Sequence, residues 1–451
     1  MIDRVENLLG RLLPAGIEHH ELVSVLSPHF GGSVHDTDRR VTFFPMHPPH
    51  ALRLEYNRDL ELTGAFAEEA LTEKDIETVR TELHRNYLES TGTGICQAIL
   101  LVPGPMEGWW GYRDKFRIIP VPSQAPRPDY LIADHPFLLE FTYNRSPDDF
   151  VSGRRRQRLG YRIALVLSSL VRRSIWWHLP TEFGNHLHAW VQLPNIGLVQ
   201  NVAYCRITYG HASIPYLPGA FTPTEGMPSI PLIPADQYYS PGYIRGGDGF
   251  ELPDDLEQSF NLFFALPAQQ QDRFLQACYW LNQTCRVDSF SSMFVHTIQA
   301  IESLAWQPRS QTSCPRCNKP EGPGPTRLFN EFLDRYAPGA IEGRRVLYSV
   351  RSGLSHGSLP PFLVDTEIHF GFVPEDFHQR RLAWDALEAA RIAMHNWLRD
   401  PRAGQSGPTH TVPPDKPEAG PWVCKLIGRA WEALRRLWFR AAYEGRTVTR
   451  D

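Results

Sequence analysis

The stretch Phe290-Ser-Ser-Met-Phe-Val-His-Thr-Ile-Gln-Ala-Ile-Glu-Ser-Leu-Ala305 decides the class of the C-terminal half. Phe290, Phe294, Ile298, Ile301 and Ala305 recur at helical spacing, and Asp288 just upstream is a residue type that caps helices. Further along, Trp384, Leu387, Ala390, Met394 and Trp397 repeat the same period, with shorter helical pieces around 326–335 and 341–352. Residues 254–400 therefore read as an all-α domain of about four or five helices.

Upstream, residues 1–211 read as a mixed α/β region. Phe137-Leu-Leu-Glu-Phe-Thr-Tyr143 is short, apolar and aromatic-rich, which marks a strand. His186–Gln192 and Asn201–Thr208 carry the same signal, and Glu73–Leu88 reads as an exposed helix. Arg154–Arg173 reads as a basic helix whose second half is apolar through Ile163, Leu165, Val166, Leu167 and Leu170. Between the two halves, 8 prolines fall within 214–253. Proline breaks helices and stays out of central strands, so 212–253 is assigned as a connector, and its apolar content predicts that it packs against something. A second linker, 401–420, is rich in Pro, Gly, Ser and Thr. It leads to 421–451, where Val423, Ile427, Ala430, Trp431, Leu434 and Trp438 line one helix face. That tail holds 7 Arg or Lys against 3 acids. It reads as a basic amphipathic helix that docks on its own protein, on a partner or second copy, or on a membrane surface or RNA. The expected fold class is α+β, a mixed N-terminal region followed by an all-α helical domain and a C-terminal amphipathic helix.

Composition narrows the function classes. The 451 residues carry 46 basic and 50 acidic side chains, a net charge of −4, so any nucleic-acid contact must use local patches. Proline, at 39 residues, is well above the usual ~5%. The longest apolar run, Ile163–Val171, is about half of what a membrane helix needs. The N-terminus lacks a basic segment followed by an apolar one, so no signal peptide is expected. With 7 cysteines in so long a chain, no disulfide framework is expected either. The chain reads as a cytoplasmic protein of a reducing compartment.

Tyr348-Ser-Val-Arg351-Ser-Gly-Leu-Ser-His356-Gly357 is the sharpest candidate site. Five positions along an ideal helix rotate by about 140°, so Arg351 and His356 converge only if the helix breaks. Gly353, Gly357 and Pro360-Pro361 supply the means. The plain alternative is a helix end with a cationic last turn.

The order of these segments resembles the HEPN superfamily, particularly its ApeA-like branch. The resemblance rests on Ala300-Ile-Glu302-Ser-Leu304, on the Arg351-x4-His356-Gly357 motif and on the long final helix, and covers about a third of the chain, 254–399. It implies an all-α HEPN-like domain and metal-independent RNA cleavage by a homodimer whose two Arg–His pairs meet in one cleft. By the same resemblance, such proteins serve as bacterial antiviral-defence or abortive-infection effectors, with a phage or host trigger sensed by the N-terminal region. Arg351 and His356 would be catalytic, with Ser352 and Ser355 as polar neighbours. Many relatives carry Asn, Asp or His where this chain has Ser352. No cofactor is implied for catalysis. The alternative is an adaptor in which the same domain dimerises and binds RNA or protein without cleaving.

Cys314-Pro-Arg-Cys317 has the spacing of half a structural zinc site. Cys278 and Cys285 are candidates for the other half, a free or redox-active pair and neutral loop cysteines being the alternatives. Arg154-Arg-Arg-Gln-Arg158, with Arg162, Arg172 and Arg173, lies near Trp176 and Trp177 and reads as a phosphate grip or a solvated helix face. Asp129 with Glu140-x-Thr142 bears only a faint likeness to a nuclease carboxylate pair on a strand, and the lysine such a pair needs two residues after the glutamate is absent. His186 with His188, and His19-His20-Glu21, have no completed ligand set.

Overall fold

The N-terminal part of the described residues is rich in strands. In the computed structural model, β1 (Val34–Asp36), β2 (Val41–Pro45), β3 (Ala51–Tyr56) and β4 (Leu62–Ala67) pair in sequence order as an antiparallel sheet. On β3, Leu54 is buried while its neighbours Arg53 and Glu55 pair with each other at 3.3 Å, as the two-residue alternation of a strand requires. Besides these strands and a few helical positions (22–23, 26–27, 74, 77–78, 81–82, 84–85), the described residues are 92–401 with gaps. The gaps are 126, 128–133, 172–174, 179–188, 192–202, 206–212, 241–248, 285–286, 288, 306–323, 340–344 and 367–373. The chain divides into two units, Met1–Pro401 and Arg402–Asp451. The second unit, with the linker and tail helix expected from sequence, lies outside the described residues, as do His186, His188 and His19–Glu21.

A five-stranded antiparallel sheet follows, in the order β6-β7-β8-β5-β9. Its strands are β5 (Thr93–Pro103), β6 (Trp110–Tyr112), β7 (Phe116–Pro120), β8 (Asp134–Asn144) and β9 (Trp176–His178). Alternation sorts its side chains into two layers. Cys96, Ala98, Leu100 and Val102, Phe116 and Ile118, and Phe137, Leu139 and Phe141 enter one large core. Ile99, Ile119 and Leu138 point the other way into a small second core with Val121 and Ala125, against which Trp109 and Ile214 pack.

Helix α1 (Asp149–Leu170) lies on the large-core side, and Ile163, Leu165, Val166, Leu167 and Leu170 are all buried there. Asp148 caps it, its carboxylate accepting the Val151 N–H at 2.9 Å. The short pair β10 (Ala189–Val191) and β11 (Ala203–Cys205) is antiparallel.

The Pro-rich connector is laid along the sheet. Gln97 N–H donates to the Tyr216 carbonyl at 3.0 Å, Trp109 N–H to Pro228 at 2.9 Å and Ile230 N–H to Trp109 at 3.0 Å. It carries β12 (Leu232–Ile233), α2 (Ala235–Tyr238) and β13 (Leu252–Pro253), with β12 and β13 parallel.

Helices α3 (Leu256–Ala265), α4 (Ala268–Gln283), α5 (Phe290–Ala305), α6 (Pro325–Tyr336), α7 (Arg345–Ser355), α8 (Leu363–Thr366) and α9 (Pro374–Arg399) complete the described residues. This is an α+β fold, strand-rich first and mostly helical after. The buried side chains of sheet, α1 and helical block form one continuous cluster. Phe294, Ile298 and Ile301 of α5 are fully enclosed, each stabilising by about 1.5–3 kcal/mol relative to exposure. Leu387, Ala390, Met394 and Trp397 of α9 are buried as their period predicts, but Trp384 is 54% exposed. It lies toward the N-terminal part of α9, edge-on to Phe290 at 6.3 Å.

The residue expected to cap α5 is Asp288. Asp288 lies outside the described residues, and the adjacent Ser289 caps the helix, its Oγ accepting the Ser292 N–H at 3.2 Å. Asp365 of α8 reinforces this cap by accepting the Phe290 and Ser291 N–H groups, both at 2.8 Å. It also accepts the Ser289 and Ser291 hydroxyls at 2.9 and 2.5 Å. Burial alone would raise the Asp365 carboxyl, but these bonds hold it below its usual value. A carboxylate lowered in the fold adds stability that is complete above its unfolded pKa of about 4 and is lost as pH falls through the folded one. Asp365→Asn is therefore expected to flatten the acid limb of the stability curve below about pH 4. Chemical denaturation of both proteins between pH 3 and 7 measures it, and identical acid limbs would contradict it.

Candidate functional site

Helix α7 carries the motif found in the sequence. Leu347 is fully buried and anchors it to the core, with Tyr348, Val350 and Leu354 partly buried against the same cluster. Tyr348 and Arg351, three positions apart, share a face. The Arg351 Nη2 donates to Glu302 Oε2 of α5 at 2.8 Å, with the two side chains 21% and 19% exposed. The Arg351 Nε is buried with no hydrogen-bond partner. Burial, the largest influence, raises the Glu302 carboxyl, while the Arg351 charge and its hydrogen bond pull it back down. The Tyr348 phenol is raised by burial and by the Glu302 charge, so it stays a proton donor. Its ring contacts Phe329 of α6, the centroids 5.4 Å apart.

The helix ends where the glycines allow. His356 N–H still donates to the Ser352 carbonyl at 3.0 Å, and Gly357 then turns into the left-handed region at φ +69°. This is the usual role of a glycine just past a helix end. Gly353 has a different function. Leu359 folds back over it, its N–H donating to the Gly353 carbonyl at 3.0 Å, and a Cβ on Gly353 would stand 2.5 Å from the Leu359 side chain.

The structure thus places Arg351 on the body of α7, half-buried and paired, and His356 at its end, exposed. Ser352 is half-buried beside the arginine and Ser355 is exposed. Among the described residues no hydrogen bond or ion pair joins Arg351 to His356. The helix continues through Ser355, so the convergence expected of a broken helix is not seen. The arrangement offers a paired guanidinium on the body of the helix and a solvent-exposed imidazole at its end.

Glu302 and Tyr348 belong to this site although the motif alone did not nominate them. The signal for Glu302 was its position, four residues after Ile298 and three before Ala305, on the apolar stripe of α5. A carboxylate there has to be paired.

The other candidates fare differently. Glu140 of β8 is fully buried, and its cross-strand partners are Gln97 on β5 and Arg117 on β7. It accepts Gln97 Nε2 at 2.5 Å, Arg117 Nε at 2.6 Å, and the Thr222 hydroxyl and N–H of the connector at 2.5 and 3.2 Å. Arg117 also donates to the Thr222 carbonyl and lies over the Phe221 ring at 4.4 Å. Glu140 therefore fastens the connector to the sheet. Asp129 lies outside the described residues.

In the basic run, Arg156 sits over the Tyr143 and Tyr216 rings at 5.2 and 5.5 Å and donates to the Tyr143 hydroxyl at 3.1 Å. Arg162 donates to Gln271 at 2.5 Å and Arg154 lies over Phe150 at 5.3 Å. Two of the arginines thus hold α1 to its neighbours, and Arg172 and Arg173 lie outside the described residues.

Cys278 is a core residue of α4, its thiol pushed up to about 12 by burial, the wrong direction for a thiolate ligand. Cys285, Cys314 and Cys317 lie outside the described residues. Among the described residues no group of three or more His, Cys, Asp or Glu is placed to hold a metal ion, and no helix is long and apolar enough to cross a membrane. No known family, no curated protein and no solved structure matches this chain.

Proposed function

We propose that the protein is a metal-independent endoribonuclease of HEPN type, acting as a homodimer, with Arg351 and His356 as its catalytic residues. The observation that carries this reading is the end of α7, where a held guanidinium and an exposed imidazole lie five positions apart on a helix that Gly357 terminates.

The chemistry fits these groups. RNA carries its own nucleophile in the 2′-hydroxyl. An imidazole takes that proton as the bond from 2′-oxygen to phosphorus forms, or gives one to the 5′-oxygen as the bond from phosphorus to it breaks. Arg351 has donors beyond the one used by Glu302, and these neutralise charge building on the phosphate. A dimer would bring two such sets to one scissile bond. The N-terminal sheets and the connector would sense a phage or host trigger, and antiviral defence would be the setting.

The adaptor reading draws on the same ion pair, since an arginine already bound to Glu302 can serve the fold alone. Incubation of the full-length protein with total RNA in chelator separates the two. Cleavage by wild type that is lost in Arg351→Ala is expected. Cleavage retained in both Arg351→Ala and His356→Ala would overturn the assignment, and RNA binding without cleavage by any form supports the adaptor. Cys314 and Cys317 are proposed as ligands of a structural zinc. Metal analysis is expected to show less zinc in Cys314→Ser than in wild type, and equal content would remove Cys314 from the site.

A further inference from the structure

Helix α1 changes character along its length. From Ile163 to Leu170 every residue is buried, whereas the first half gives the core only Val151, Ser152 and Gly160. Phe150, Arg154 and Arg158 follow one another at four-residue steps and so share the outer face. Phe150 is 49% exposed, and Arg154 and Arg158 are exposed as well. The Arg154 guanidinium lies over the Phe150 ring, 5.3 Å from its centroid. Arg156, about 200° round the helix from Arg154, points away from this stripe and covers the Tyr143 and Tyr216 rings. From Phe150 to Pro180 the chain has 7 arginines and no acid, although its net charge is −4. Of the two acids just before, Asp148 is engaged as the helix cap.

Core packing does not call for this outer stripe, since the apolar side of α1 faces the other way. A single nucleic-acid strand needs both of its components. Its phosphates pair with guanidinium groups, and its bases stack on an exposed ring. An acidic peptide would match the charges but would leave the ring unused. We propose that the outer face of α1 binds single-stranded RNA, with Arg154 and Arg158 on neighbouring phosphates and Phe150 under a base. The two arginines stand about 6 Å apart along the helix axis. The choice of RNA rests on the ribonuclease reading, but binding by this surface does not require cleavage.

The test is fluorescence anisotropy of a labelled oligouridine with the full-length chain in chelator, over a series of salt concentrations. The His356→Ala protein is used, so that the strand stays whole. Arg154→Gln with Arg158→Gln is expected to lower the slope of log affinity against log salt by about 1.4, at ~0.7 for each phosphate contact. Phe150→Ala is expected to weaken binding about tenfold with the slope unchanged, as for a lost base–aromatic stack. Arg327→Gln with Arg381→Gln removes the same charge from exposed positions on α6 and α9 and is expected to leave affinity within about twofold. Affinity and slope unchanged by the Arg154 and Arg158 substitutions would overturn the proposal. An equal loss in the Arg327 and Arg381 protein would overturn it too, as would polyglutamate competing as well as unlabelled oligouridine. Failure of wild type to cleave RNA counts against the ribonuclease reading alone, because the binding curves decide the role of α1 by themselves.

Discussion

His356→Ala is expected to lower RNA cleavage by about 10²–10⁴-fold, the range over which a positioned general acid or base acts. The thermal midpoint should stay where it is. The imidazole is exposed, and the described bond of this residue within the fold is its backbone N–H to Ser352, which alanine keeps. An exposed substitution of this kind changes stability by less than about 0.5 kcal/mol. This separation of activity from stability makes His356 the cleanest position to test. Arg351→Ala is a mixed experiment by comparison, because it also strips Glu302 of its cation in a half-buried setting. Initial rates on one RNA, with melting curves of the same preparations, measure both quantities. A His356→Ala protein that melts early would make its lost activity a folding effect.

Glu140→Ala is expected to give the largest loss of stability, about 3–5 kcal/mol. Removing one partner of a buried pair leaves the other charge enclosed and uncompensated. Glu140 is completely enclosed and Arg117 is 14% exposed, so water cannot replace the lost carboxylate. The Thr222 hydroxyl and N–H lose their acceptor in the same step. The connector around Phe221 and Thr222 should then become the first site of proteolysis. Glu140→Gln keeps acceptor capacity and is expected to cost less. Urea denaturation with limited proteolysis checks this, and a change under about 0.5 kcal/mol would mean that Glu140 does not fasten the connector. The prediction also bears on the early reading of Glu140 as part of a nuclease carboxylate pair. A residue with this many protein partners has little left for a substrate or a metal.

Much of this architecture was legible in the sequence wherever one face had to be buried. The helical period of Phe294, Ile298 and Ile301 and the apolar half of α1 are both imposed by the core they enter. Strand β8 was readable because its segment Phe137–Tyr143 is short, apolar and aromatic-rich, most of it entering one core. Strand β5 passed unnoticed, since Cys96-Gln-Ala-Ile-Leu-Leu-Val102 is apolar on both faces and loses the two-residue alternation. The sheet of β1–β4 gave only short, weakly patterned segments. Trp384 fitted the α9 period yet lies exposed, because a period fixes the face of a helix and not how far along it the neighbours extend.

At the site, the motif marked α7, but the partner of Arg351 came from tertiary packing. Glu302 lies 49 residues upstream, and no local spacing connects the two. The same limit applies to Glu140, whose partners Gln97, Arg117 and Thr222 come from three separate segments.

The ends left by cleavage in the presence of chelator test the central claim most directly. A reaction that uses the 2′-hydroxyl as nucleophile, with Arg351 and His356 supplying charge and proton transfer, leaves a 2′,3′-cyclic phosphate on one fragment and a 5′-hydroxyl on the other. It also spares a substrate carrying 2′-deoxyribose at the scissile position. Products with 5′-phosphate ends, or cleavage that proceeds through the 2′-deoxy position, would contradict the assignment.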